Sequence, residues 1–196
     1  MTDMLRALLQ LTFRDSATAA RRVIELDLPL AFLIQLGVAI ALIDVVLGSI
    51  ALAVTGVPEG GPLPLTLIAP FALAVQQVLF FFIGAGLIWW VGQSLGGTGH
   101  LEGAVAITVW VMAIGMLVQG VATLMTLTAA LGGLVIFAGF IWQIWLLAQG
   151  IRALHGFPST GLVILGICLV GFGMAILLTL VFAMFGLLPM PPEAAQ

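Results

Sequence analysis

The chain has 196 residues, 63% hydrophobic and 7% charged, with a mean hydropathy of +1.32 and a net charge of −3. Soluble domains carry about 25% charged residues, so this composition excludes a water-soluble globular fold. Continuous rather than alternating apolar runs exclude a transmembrane β-barrel.

Five runs of about 20 apolar residues predict an all-α polytopic membrane protein, a five-transmembrane-helix bundle with an N-terminal amphipathic helix. Residues 1–27 form the predicted amphipathic tail. Leu5, Leu8, Leu9, Thr12 and Phe13 recur there at helical spacing, and Asp15 or Ser16 can cap a second short helix. Such a helix lies in the membrane interface or packs loosely on the bundle. The opening MTDMLRALLQLTF carries Asp3 and lacks the short apolar core of a signal peptide.

The predicted membrane domain covers residues 28–190, with spans at about 30–54, 66–92, 102–127, 131–152 and 161–188, and a short tail at 191–196. Asp27 and Pro29 mark the first entry, and TGVPEGGPLPL reads as an extended loop. The loop SLGGTGHLEG joins spans 2 and 3, where His100 and Glu102 could hold a metal, although Glu102 also suits a helix first turn. A tight Ala-Ala-Leu-Gly-Gly connection joins spans 3 and 4.

The arginines set the expected orientation. With five spans, Arg6, Arg14, Arg21, Arg22 and Arg152 all fall on one side, which the positive-inside rule makes cytoplasmic. The expectation is a cytoplasmic N-terminus and a C-terminus on the opposite side of the membrane. Trp89, Trp90 and Trp145 suit interfacial anchors. Arg21, Arg22, Trp145, Arg152 and His155 are the expected contacts to lipid headgroups. Ile88-Trp89-x-x-x-Gln93 faintly repeats as Ile144-Trp145-x-x-x-Gln149.

Span 1 offers one informative face. Gly37, Ala41, Asp44, Gly48, Ala51 and Thr55 form a seam of small residues plus one acid, which favours close helix packing. An Asp at the bilayer centre costs about 2.5–3.5 kcal/mol, so Asp44 needs a partner or a proton. At about 1.5 Å per residue, Gln76, Gln77, Gln119, Gln143 and Thr179 fall at similar depth. Asp44 and these five residues are a candidate intramembrane polar layer, either a conduction path or a set of interhelical hydrogen bonds.

Nothing in the sequence forms a nucleophile–base set, a phosphate-binding motif, a CxxC or HExxH metal site, or a basic patch for nucleic acid. No enzyme activity, cofactor or nucleic-acid partner is expected. Cys168 is the single thiol, so no disulfide forms within the chain.

The segments IWQIWLLAQGIRALHGFPSTGLVIL and LGGTGHLEGAVAITVW resemble the Yip1 domain family. The first is similar to its Trp-containing fourth span and Gly-Ile-x-x-x-His-Gly turn, the second to its Gly-Gly loop before span 3. The resemblance covers about residues 5–188. It departs at Trp110-Val111-Met112-Ala113, where the family carries an aromatic–proline pattern, and lacks the Asp-Leu-Tyr-Gly-Pro segment of eukaryotic members. Those members bind Rab GTPases, and no Rab-type site is recognisable here. The resemblance, with the absence of lysine, implies a bacterial inner-membrane member with a periplasmic C-terminus, a non-enzymatic scaffold or membrane-organising component, a homo-oligomer or part of a larger assembly. A small transporter or channel built on Asp44 is the alternative.

Overall fold

A computed structural model describes residues 2–55, 69–129 and 131–184. The linker from residue 56 and the tail at 191–196 lie outside them. Seven helices run through the described residues: α1 (Thr2–Arg14), α2 (Ser16–Glu25), α3 (Leu30–Thr55), α4 (Pro70–Ser94), α5 (Leu101–Ala129), α6 (Gly132–His155) and α7 (Thr160–Met184). The last five are each long and apolar enough to cross a membrane. In hydrocarbon only a helix or a closed barrel satisfies its own backbone, and these runs lack the alternation of a barrel.

The helix ends follow from local chemistry. α4 begins at Pro70, because Ala69 is outside helical geometry and the fixed φ of proline suits the first helical position; positions 66–68 of the predicted span lie outside the described residues. α6 continues beyond Arg152 to His155. Its stop is Gly156, whose φ of 72° is left-handed and whose N–H donates to the Arg152 carbonyl at 2.9 Å. Of the 161–188 span, the described helix covers Thr160–Met184.

The N-terminal helices are not a loose surface tail. α2 packs against both α5 and α6, and α1 folds onto α2. Ala19 and Ala20 are fully covered, because methyl side chains let α2 approach the bundle closely. Thr12 of α1 is also buried and accepts a hydrogen bond from Trp110 Nε1 at 3.3 Å. Phe13 stacks on Trp142 with ring centroids 4.8 Å apart. Trp145 Nε1 donates to Ser16 Oγ at 3.2 Å.

α5 is the central helix, in contact with α2, α3, α4 and α6. Its start is packed with small and branched residues, Ala104, Val105, Ala106 and Ile107, all buried. Along α6, glycines face it at three levels. A Cβ at Gly132 would strike Thr126, one at Gly139 would strike Val118, and one at Gly150 would strike Ile107. Gly37 of α3 lies as closely against the Phe81 ring of α4. In lipid, where apolar burial drives little, this close van der Waals approach is what binds helices together.

α7 differs from the others. It touches only α6 among the described helices, and of its residues whose side chains are described only Val163 is buried. Between it and α4, closed at the back by α6, lies an apolar crevice of about 560 Å³.

Asp15 joins α1 to α2 as an N-cap. Its carboxylate accepts from the Thr18 N–H at 3.1 Å and from Thr18 Oγ1 at 2.5 Å. These hydrogen bonds, the Thr18 hydroxyl first, hold its pKa below the usual carboxylate range. A carboxylate with a lowered folded pKa stabilises only while ionised. The contribution is therefore complete above the unfolded range and fades as pH falls through the lower folded value. Asp15→Ala should speed amide hydrogen exchange at Ala17–Ala20, Asp15→Asn should restore most of the protection, and acidification should reproduce the loss in wild type.

Candidate functional site

Two regions gather polar side chains inside the bundle. The first is the predicted layer around Asp44. Gln77 Nε2 donates to Asp44 Oδ2 at 3.3 Å, joining α3 to α4. The remaining four residues do not complete a ring. Gln76, next to Gln77, points out of the bundle and is exposed. Thr179 is exposed on α7, where its hydroxyl donates to the Ala175 carbonyl of its own helix. Gln143 is partly buried and lies against α5, its Oε1 3.1 Å from where a Cβ on Gly115 would stand. Gln119 is likewise partly buried on α5. The structure thus brings together one pair of the six. Depth arithmetic gives height along a helix but not its rotation, and rotation turns Gln76 and Thr179 outward.

Along the α3 seam, Gly37 and Ala41 are buried, whereas a Cβ on Gly48 would meet nothing. The seam is closely packed at Gly37 and Ala41 and open at Gly48. The Thr55 side chain lies outside the described residues.

The second region is the end of the bundle that carries the arginines. His155, expected to meet lipid headgroups, is instead 3% exposed. The chain between α4 and α5 wraps around it. Gly99 N–H donates to His155 Nδ1 at 3.2 Å, and Thr98 N–H donates to the His155 carbonyl at 3.4 Å. With Nδ1 an acceptor, Nε2 carries the proton and donates to the Ile88 carbonyl at 3.1 Å. Gln93 Nε2 fixes the loop from the other side through the Gly99 carbonyl at 3.1 Å.

The loop glycines follow from this geometry. A Cβ on Gly92, Gly97 or Gly99 would overlap the imidazole. Gly96, with a φ of 85°, makes the turn. The Gly-Gly loop is therefore a socket for one side chain 56 residues away. A glycine-rich segment, followed at long range by a lone histidine closing a helix, was the available signal. Sequence reasoning assigned the two to separate roles.

The other expected headgroup contacts divide. Arg21 and Arg22 are exposed on α2, and Arg22 pairs with Glu25 at 3.3 Å. Arg152 is half-buried and held by its Nε to the Phe157 carbonyl at 3.3 Å and by Nη1 to Thr160 Oγ1 at 3.2 Å. Trp145 is exposed apart from its bond to Ser16. Among the described residues no group of three His, Cys, Asp or Glu could hold a metal ion.

A family model described as the Yip1 domain matches residues 11–183. No curated protein and no solved structure matches the chain. The matched range begins in α1 and runs through α7, so it takes in both the docked N-terminal pair and all five apolar spans.

His155→Ala should empty the socket and leave the Gly99 N–H unpaired, costing about 2–4 kcal/mol. Gly97→Ala should cost a comparable amount by overlap with the ring. By contrast, Asp44→Asn keeps a partner for Gln77 and should shift stability by no more than about 1 kcal/mol. Unfolding in mixed micelles of all three variants beside wild type checks the ranking.

Proposed function

The chain belongs to the Yip1 domain family, and from that premise we propose that it is a non-enzymatic scaffold or membrane-organising component. It works through contacts with other membrane helices, a second copy of itself first among them. One observation carries this reading. Gly48, Gly86, Gly120 and Gly173 lie within membrane helices, yet a Cβ on any of them would meet nothing among the described residues. Glycine in a helix interior costs roughly 1 kcal/mol relative to alanine. Within this chain, glycines of α6 offset that cost by close approach to α5. The four open ones have no such return until another helix arrives.

The alternative, a transporter using the layer around Asp44, has less support. Gln76 and Thr179 face away from it, and Asp44 is joined to Gln77. The same reading sets the arginine-bearing end in the cytoplasm of a bacterial cell, with the C-terminus across the inner membrane.

Cys168 is exposed and is the only thiol, so a fluorophore placed there reports stoichiometry directly. In liposomes at high dilution, wild type should photobleach in two or more steps. Gly86→Leu together with Gly173→Leu should shift the distribution toward one. Single-step bleaching of wild type, or ion flux above protein-free background that Asp44→Asn abolishes, overturns the proposal. A C-terminal alkaline phosphatase fusion should be active and a C-terminal green fluorescent fusion dark; the reverse pattern inverts the topology.

A further inference from the structure

The arginine-bearing end holds a second cavity, beside the His155 socket, whose ring stacks on Phe157. It is a cleft of about 230 Å³ between α2 and the last turns of α6. Arg21 stands on one wall and Arg152 on the other, with Gln149 at the back and Phe157 at the side. Gln149 is only 6% exposed, and its Oε1, itself closed to solvent, has no hydrogen-bond partner among the described residues. Buried polar atoms are nearly always paired, so an orphan lining a cleft points to a group that the cleft receives.

The charges point the same way. Arg152 spends two of its five N–H donors on Phe157 and Thr160 and keeps three. Among the described residues, neither Arg21 nor Arg152 has a carboxylate within ion-pair distance, since the one such pair joins Arg22 to Glu25. Of the acids near Arg21 along the chain, Glu25 pairs with Arg22 and Asp15 is hydrogen-bonded to Thr18, with the Arg21 charge a minor influence on it. Two guanidinium groups facing one cleft suit a phosphodiester oxygen pair. The orphan carboxamide oxygen needs a donor, which a headgroup hydroxyl supplies once the Gln149 side chain turns into the cleft.

Phe157 also lines the apolar crevice between α4, α6 and α7, so the two cavities share a wall. The crevice runs from Leu95 to Gly84 along α4, a rise of about 16 Å. That is about half of a 30 Å hydrocarbon core, the depth of one leaflet. Gly84, Gly166 and Gly171 line it and face open space, which leaves its width clear. At about 560 Å³ it lies within the usual range of ligand pockets, roughly 300–1,000 Å³.

We propose that one anionic glycerophospholipid with a hydroxyl-bearing headgroup binds here. Arg21, Arg152 and Gln149 hold its headgroup, and one acyl chain lies in the α4–α6–α7 crevice. The lipid would cover α7, which the protein itself leaves almost bare. This site is independent of whether the chain self-associates.

Native mass spectrometry of the full chain in a neutral detergent tests it, with phosphatidylglycerol, phosphatidylcholine and inorganic phosphate as probes. Wild type should retain one phosphatidylglycerol at a concentration at least fivefold below that needed for phosphatidylcholine. Arg21→Gln and Gly171→Leu should each weaken retention at least fivefold. Both residues are exposed, so neither substitution removes a packed side chain. Arg22→Gln, with its guanidinium outside the cleft, should retain the lipid as wild type does.

Equal retention of the two lipids overturns the proposal, as does equal loss in Arg22→Gln and Arg21→Gln. Loss confined to Arg21→Gln, with Gly171→Leu unaffected, removes the acyl chain from the crevice. Displacement of the lipid by millimolar inorganic phosphate marks an ion site and refutes lipid selectivity.

Discussion

Everything at the arginine-bearing end hangs on one imidazole. His155 closes α6, and three glycines, one in the last turn of α4 and two in the loop after it, are shaped around its ring. Through Ile88, Thr98 and Gly99 it ties together the end of α4, the approach to α5 and the end of α6. A polar side chain in this position is stable because both ring nitrogens are paired; a buried ring with one nitrogen unpaired would be a liability. The clasp also fixes the Nε2–H tautomer. A second proton, on Nδ1, would point straight at the Gly99 N–H.

Rigidity at that end contrasts with the other. Most buried residues cluster around α2, the first turns of α5 and the last turns of α6. Farther along, Leu124, Met125, Leu134 and Phe137 face outward. Contact between α5 and α6 nevertheless continues there through Gly132 and Gly139. The docked N-terminal helices account for much of the asymmetry, because they add a layer to α5 and α6 on one side only. In this chain the tail is structural material, and Trp110, Trp142 and Trp145 are as much its docking points as membrane anchors.

Five helices were legible because membrane spans obey a length and polarity rule that needs no partner. The Asp15 cap was legible for the same reason, since capping is decided within four residues. What the residues did not disclose is rotation. Gln76 and Gln77 are neighbours of the same chemistry, yet only the second meets Asp44. Likewise a histidine at a helix end reads as a surface charge until the loop that engulfs it is placed. The glycines of α6 are instructive in hindsight. Gly132, Gly139 and Gly150 are seven and eleven residues apart, both near whole numbers of helical turns, and they mark the face turned to α5.

The near isolation of α7 has a consequence for biosynthesis. Contacts among the described helices link α1 through α6 into one connected body, and α7 adds a single neighbour at its end. Chains are made from the N-terminus, and domains form as their parts emerge. Here the body is complete in sequence by His155, so the clasp can shut while the last helix is still in the ribosomal tunnel. Its release into the bilayer is then a late and separable event, and lipids present at that moment meet an already assembled wall.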